Sequence, residues 1–261
     1  MSNLIKYRHY ELKRNPILWL TFFICFAFAF LLIGPHYLTE APMVPGIPDN
    51  LQGLFMASAA DCIFPLLMLS GAFTSMMLGR QFSDRTIDLE ISAGHSRNEV
   101  FVEQCFVGFV IPNVTILLAI LIGCLRWAGS VPFPSSGAAV LFLVRAVFLL
   151  MLLNFSFISA CLLFAIVFRD TAKTTAVSAL FLLILCWTMP AMEQPLPKAP
   201  GTLYPVTPSL PLLLHPAFLM RYSLYSTLTF EQGAWVAGVA VGWSILFLGI
   251  AYCIFRRCEL K

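Results

Sequence analysis

Residues 138–168 read AAVLFLVRAVFLLMLLNFSFISACLLFAIVF. The run carries one charged side chain, Arg145, and is followed at once by Arg169-Asp170 and a second apolar run that ends near Met189. A helix needs about 20 apolar residues to cross a bilayer, whereas a strand crosses in about 9–11. A backbone in hydrocarbon must also satisfy its own hydrogen bonds, which a helix does within one segment. The two runs therefore read as a pair of transmembrane helices joined by a minimal charged turn.

Four more runs follow the same rule. The candidate spans are 16–33, 54–78, 99–125, 138–168, 170–189 and 233–255. Composition agrees, since 59% of the 261 residues are hydrophobic, 11% are charged and the mean hydropathy is +0.86. A soluble domain is about 45–50% apolar and about 25% charged, and a chain of this length has too little interior to hide the excess. A soluble enzyme, a nucleic-acid binder and a disordered chain are excluded. Expected is an all-α integral membrane bundle of six transmembrane helices, forming one domain over residues 1–261.

Basic residues orient the bundle. Of the 16 Lys and Arg residues, only Arg126, Arg145, Lys198 and Arg221 fall on one side of the six spans. The others flank the opposite ends, which the positive-inside rule places in the cytoplasm together with both termini. Asn15 and Pro16 suit the N-cap and first turn of span 1. Residues 1–33 lack a small-residue cleavage site and read as a retained helix rather than a signal peptide. Residues 3–14 set Leu4, Ile5 and Leu12 against Lys6, Arg8, His9 and Lys13. That pattern gives an amphipathic helix on the membrane surface; a frayed basic tail is the other reading. On the outer side, Pro190–Gln232 holds eight of the 17 prolines. Its apolar stretch Leu210–Leu219 is too short to span, so it is expected to be re-entrant or interfacial.

The segment between spans 2 and 3 runs Arg80-Gln-Phe-Ser-Asp-Arg-Thr-Ile-Asp-Leu-Glu-Ile-Ser-Ala-Gly-His-Ser-Arg-Asn-Glu99. Ser83 or Asp84 can cap a short helix, and Gly94 is placed to end it in a left-handed conformation. Ser96 and Glu99 form a capping box that opens span 3. Ile87 and Ile91 give the short helix one apolar stripe among Asp84, Arg85, Asp88, Glu90 and Arg97. A connection needs only a few residues, so a separately capped helix reads as a docking element; a solvated linker is the alternative.

Catalytic chemistry is not visible in the sequence. No G-x-x-x-x-G-K-[ST] occurs, so this chain cannot bind ATP through a P-loop. His9, His36, His95 and His215 all fall outside the spans, which excludes bis-His haem ligation within the bilayer. The eight cysteines include no C-x-x-C pair and lie almost entirely in apolar runs; they read as small apolar residues. Neither a metal nor a cofactor is expected in the chain. Asp61 is the acidic residue well inside a span. It reads as the wall of a polar pathway, as a partner for Arg126 or Arg145, or as a residue near enough to the outer surface to stay wet. Arg145 can snorkel, and Glu103, one turn into span 3, is expected to reach the inner surface. Asn113 and Asn154 read as helix–helix glue. Ala234, Gly238 and Gly242 recur every fourth residue and let helix backbones approach closely, which suits packing within one subunit before dimerisation.

Six spans, a basic first segment, a charged short helix after span 2 and a Pro-rich outer segment before span 6 resemble the type-2 exporter permeases of the ATP-binding-cassette (ABC) transporters. The run Arg85-Thr-Ile-Asp-Leu-Glu-Ile-Ser-Ala-Gly-His-Ser-Arg97 is similar to that family's coupling-helix loop. Size and layout resemble the branch that exports, or confers immunity to, amphipathic peptides such as lantibiotics, bacitracin and phenol-soluble modulins. The resemblance implies a multi-pass protein of the bacterial cell membrane, paired with a second copy of itself over two ABC ATPase subunits that hold ATP and Mg. It implies that Asp84, Arg85, Ile87, Asp88, Glu90, Ile91 and Arg97 dock on the ATPase. Asp61 would contribute to the pathway of an exported peptide, and residues 206–222 would form a gate. A secondary transporter or channel, and an intramembrane enzyme, are the rival classes; the first calls for internal repeats or several intramembrane charges, the second for clustered catalytic side chains.

Overall fold

The computed structural model describes Tyr10 and residues 12–32, 51–127, 137–193, 210–224 and 228–257; of these, the side chains of 51–63, 123–124, 137–139 and 189–193 lie outside the description. The described residues form helices and no strand: α1 Pro16–Leu32, α2 Leu51–Ser83, α3 Thr86–Ser92, α4 Arg97–Trp127, α5 Gly137–Phe168, α6 Thr171–Glu193, α7 Leu210–Leu213, α8 Pro216–Tyr222 and α9 Phe230–Arg257. Among the described residues, four helical stretches are long and apolar enough to cross a membrane: Arg97–Ile122, Val140–Phe168, Thr171–Thr188 and Phe230–Arg257. These make the chain compatible with a membrane-embedded protein. The apolar part of α1, Pro16–Leu31, is shorter. Helix α2 extends beyond the expected 54–78 at both ends, running through Gly79 to the turn at Asp84-Arg85. Of residues 3–14, only Tyr10 and 12–14 are described, so the amphipathic N-terminal helix lies largely outside the described residues.

Helix boundaries follow local chemistry. Asn15 Oδ1 accepts the Ile17 N–H at 3.0 Å, and Pro16 takes the first helical position, where an N–H would have no partner. Asp170 Oδ1 accepts from Lys173 N at 2.8 Å and opens α6 directly after α5. Arg169 makes that turn at φ 51, a left-handed conformation. Pro112 lies inside α4, where it removes one backbone donor. Side chains nearby hydrogen-bond this stretch of backbone: Asn113 Nδ2 donates to Phe109 O at 2.8 Å and Thr115 Oγ1 to Ile111 O at 2.8 Å.

Hydrogen bonds define two ends of the bundle. At one, Ser83 Oγ accepts the Thr171 N–H at 3.0 Å, Arg97 Nη1 donates to Arg256 O at 3.1 Å, and Tyr252 Oη donates to Asn98 Oδ1 at 3.0 Å. This end gathers Arg80, Arg85, Arg169, Lys173, Arg256 and Arg257. At the other, Arg126 Nη1 donates to Phe30 O and Arg145 Nη1 to Leu228 O, the latter at 2.7 Å. The long helices run alternately between these ends.

Helix α5 is the hub, with 61% of its apolar window buried, against 17% for α6 and 22% for α9. In lipid, helices gain little from hiding apolar surface from one another, so close backbone approach and interhelical hydrogen bonds hold such bundles together. Both occur here. Asn154 on α5 donates to Asn113 on α4 at 3.0 Å inside the bundle, the role expected of the pair. Gly79 on α2 lies against α6 so closely that an added Cβ would sit 2.9 Å from the Thr171 Cα. The sequence signal was present, since Gly71, Ser75 and Gly79 recur every fourth residue. The expected small-residue stripe on α9 behaves differently. Its inward residues are Val236, Ala240, Ser244, Ala251 and Phe255, while Ala234, Gly238 and Gly242 are exposed. An added Cβ at Gly238 or Gly242 meets nothing within 4 Å. Among the described residues nothing packs on Gly238 or Gly242, because the hub α5 engages the neighbouring face of α9.

The apolar stretch before α9 folds back into the bundle as α7 and α8. Leu212, Ala217, Phe218, Leu219 and Met220 are buried among residues of α5, α6 and α9. Trp235 and Trp243 on α9 hold its turn by donating their indole N–H groups to Leu213 O and Leu214 O at 3.2 and 3.1 Å. Residues 194–209 and 225–227 lie outside the described part.

Candidate functional site

The charged end of the bundle carries the candidate site, built around α3. Its start departs from the expected cap. Arg85 is the N-cap residue in a left-handed conformation, φ 56 and ψ 23, with no side-chain cap bond. Ser83 is engaged with Thr171 across the junction with α6, and Asp84 accepts from Arg80 Nε at 3.0 Å, so both expected caps are spent elsewhere. Its end is specific. Gly94 at φ 98 gives its N–H to Ile91 O at 3.1 Å, and His95 gives its N–H to Glu90 O at 3.2 Å. This pair of bonds is the Schellman motif, which needs a residue without Cβ strain at that position. The capping box then opens α4: Glu99 Oε2 accepts from Ser96 N at 3.0 Å and Ser96 Oγ accepts from Glu99 N at 3.2 Å. A helix of 7 residues, fixed at its far end, results.

Sequence reasoning assigned seven residues to one docking surface; the structure divides them. Ile87 is 1% exposed and Glu90 7% exposed, so both face the bundle. Residues three and four apart share one side of a helix, which puts Glu90 and Ile91 on the stripe of Ile87. Ile87 shares one buried cluster with Leu78, Val100, Phe101, Ala165 and Phe255, and Ile91 packs against that cluster. Asp84 and Arg85 are exposed, while Asp88, Ile91 and Arg97 are half-buried. The face left open therefore runs over Asp84, Arg85, Leu89 and Ser92. Leu89, 66% exposed, was missed. Its signal was its register, two residues from both Ile87 and Ile91 and so on the opposite side of the helix.

A buried cluster anchors α3 at its inner side. Ile87, with Ile91 partly buried beside it, joins Leu78 of α2, Val100 and Phe101 of α4, Leu162 and Ile166 of α5, and Ala251 and Phe255 of α9. Phe101 stacks edge-on against Tyr252 at 5.2 Å and lies 5.7 Å from Phe255. One buried cluster thus links α3 with residues of four long helices.

Buried polar groups continue inward from this end. Glu103 was expected at the surface but is 2% exposed, and its Oε2 accepts from Gln104 Nε2 at 3.1 Å. It lies on the side of α4 that the neighbouring helices cover. Asp61 falls within α2 by backbone, and its side chain lies outside the described residues. Arg145, considered as its partner, donates to Leu228 O, and its guanidinium lies 5.5 Å from the Phe142 ring. At the opposite end, His215 caps α8 by accepting the Phe218 N–H on Nδ1 at 3.4 Å, with Nε2 3.2 Å from Thr188 Oγ1. Among the described residues, no group of three or more His, Cys, Asp or Glu side chains is placed to hold a metal ion.

No protein-family model matches the sequence, and no curated protein matches it. The class defined by fold and site is an all-helical bundle, compatible with the membrane, with a short charged helix packed across one end.

Proposed function

We propose that this chain is the membrane subunit of an ATP-driven exporter of the ABC type-2 kind. In this reading six helices cross the membrane, both termini and α3 face the cytoplasm, and a separate ATPase drives two copies of the chain. The observation that carries the reading is α3 itself. It is fixed by its own C-terminal motif, anchored through Ile87 in a buried cluster shared with four long helices, and open to solvent over Asp84, Arg85 and Leu89. An exposed leucine rimmed by opposite charges suits a protein partner: the apolar centre supplies contact and the rim supplies orientation. ATP-dependent closure of the ATPases would press α3 against the Ile87 cluster and tilt α2, α4 and α9 together around α5. The substrate class is an amphipathic peptide, on the strength of the resemblance.

Affinity purification of the chain from its native membrane in mild detergent tests this, with photoaffinity labelling by an ATP analogue as the readout. The reading expects a co-purifying subunit that labels, and its loss in Leu89→Asp. Purified alone, the chain should hydrolyse no ATP, because its sequence has no phosphate-binding loop. A preparation that exports peptide without any labelled subunit contradicts the proposal.

A further inference from the structure

Beside α3 lies a cavity of about 370 Å³, between the start of α1, the end of α2 and the first residue of α3. This lies within the range that accommodates small ligands, about 300–1,000 Å³. Two guanidinium groups line it, Arg14 and Arg80. Arg14 lies over the Tyr10 ring, 4.6 Å from its centroid, which fixes the guanidinium as a shelf. Arg80 is held through Nε by Asp84 Oδ2 at 3.0 Å, and among the described residues its two Nη groups are left for another acceptor. With two arginines against one aspartate, the lining has net positive charge. Gln81 and Thr86 add neutral polar groups to the lining, and Met77 supplies an apolar wall continuous with α2.

Depth identifies the ligand's surroundings. The cavity sits one turn outside the apolar body of α1, where Trp19 is exposed and donates its indole N–H to Lys13 O at 2.9 Å. Indole rings concentrate at the headgroup layer of a bilayer. Beyond Trp19, the outward residues are Leu20, Phe23 and Ile24. An arginine fork at headgroup depth meets phosphate oxygens, which it binds by two parallel hydrogen bonds.

We propose that this cavity binds an anionic phosphate group, presented by the headgroup of an acidic phospholipid. The lipid then ties the start of α1 to the base of α3. The proposal rests on the membrane-embedded reading, not on an ATPase, so either can fail without the other.

Native mass spectrometry of the delipidated, detergent-solubilised chain tests it, with phosphatidylglycerol and phosphatidylcholine titrated separately. The first phosphatidylglycerol should bind roughly thirtyfold more weakly to the Arg14→Gln, Arg80→Gln double variant, two basic contacts at the membrane surface being lost. Phosphatidylcholine should show no such difference. Arg257→Gln, at the same end of the bundle but outside the cavity, should bind as the parent does. Thr86→Glu is the variant that spares both arginines; an acidic residue suits the first turn of a helix, yet it places a carboxylate in the lining, and it should lose the lipid equally. Inorganic phosphate at millimolar concentration is the second arm. Displacement of the lipid by phosphate, with the same dependence on Arg14 and Arg80, keeps the phosphate site but makes a soluble anion its ligand. Equal phosphatidylglycerol affinity in the parent, the double variant and Thr86→Glu overturns the proposal, as does an equal loss in Arg257→Gln.

Discussion

His215 shows how much one side chain can decide. It caps α8 only while Nδ1 is an acceptor, and its burial pushes its pKa below the ordinary 6.5. The folded state thus favours the neutral ring. The stability it contributes is fully present above about pH 6.5 and is lost as the pH falls through the lowered folded value. Thermal melting of the purified chain should show a midpoint that drops on acidification from pH 7 to pH 5. Asn is among the best N-cap residues and does not titrate, so His215→Asn should fold and flatten that slope. An unchanged slope in His215→Asn would place the acid sensitivity elsewhere. The residue was visible in the sequence as a histidine outside the spans, but its role was not, because a cap depends on the backbone that follows. The same holds for Leu89 and Glu90, whose neighbours in sequence are alike in charge and polarity; only the register of the folded helix separates the open side from the anchored one.

Helices show a similar mixture of the legible and the hidden. Long apolar runs, the capping box at Ser96 and the terminating Gly94 were readable, since each is set by residues close in sequence. Which small-residue stripe forms a contact was not, because that depends on which helix lies opposite. Gly71, Ser75 and Gly79 carry the same spacing as Ala234, Gly238 and Gly242, yet Gly79 meets backbone and Gly242 meets open space. Gly79→Ala should cost about 1–3 kcal/mol, since the neighbouring Thr171 backbone cannot turn aside as a side chain can. Gly71→Ala meets only the flexible end of Leu182, at 2.5 Å, and should cost less. Gly238→Ala and Gly242→Ala should leave the isolated chain's stability within about 0.5 kcal/mol. Reversible unfolding in mixed detergent micelles ranks the four. If the α9 variants leave stability alone but abolish a dimer seen by light scattering, the exposed stripe is the contact between copies; a stable dimer in both variants removes α9 from that role.

At the scale of the whole molecule, the bundle has one end rich in basic residues and one end closed by the inward-folded α7–α8 segment. The proposed function is layered: a partner would dock at α3, the anchored cluster lies behind it, and the bundle would pivot on α5. All of it depends on α3 facing the compartment that holds ATP. Labelling of intact cells with a membrane-impermeant thiol reagent addresses this directly, using cysteines introduced at Ser92, exposed beside the open face of α3, and at Gln232, exposed at the opposite end. Against the unmodified chain as background, Gln232→Cys should react from outside, and Ser92→Cys should react only after the membrane is opened. Labelling of Ser92→Cys in intact cells, with Gln232→Cys protected, would contradict the account.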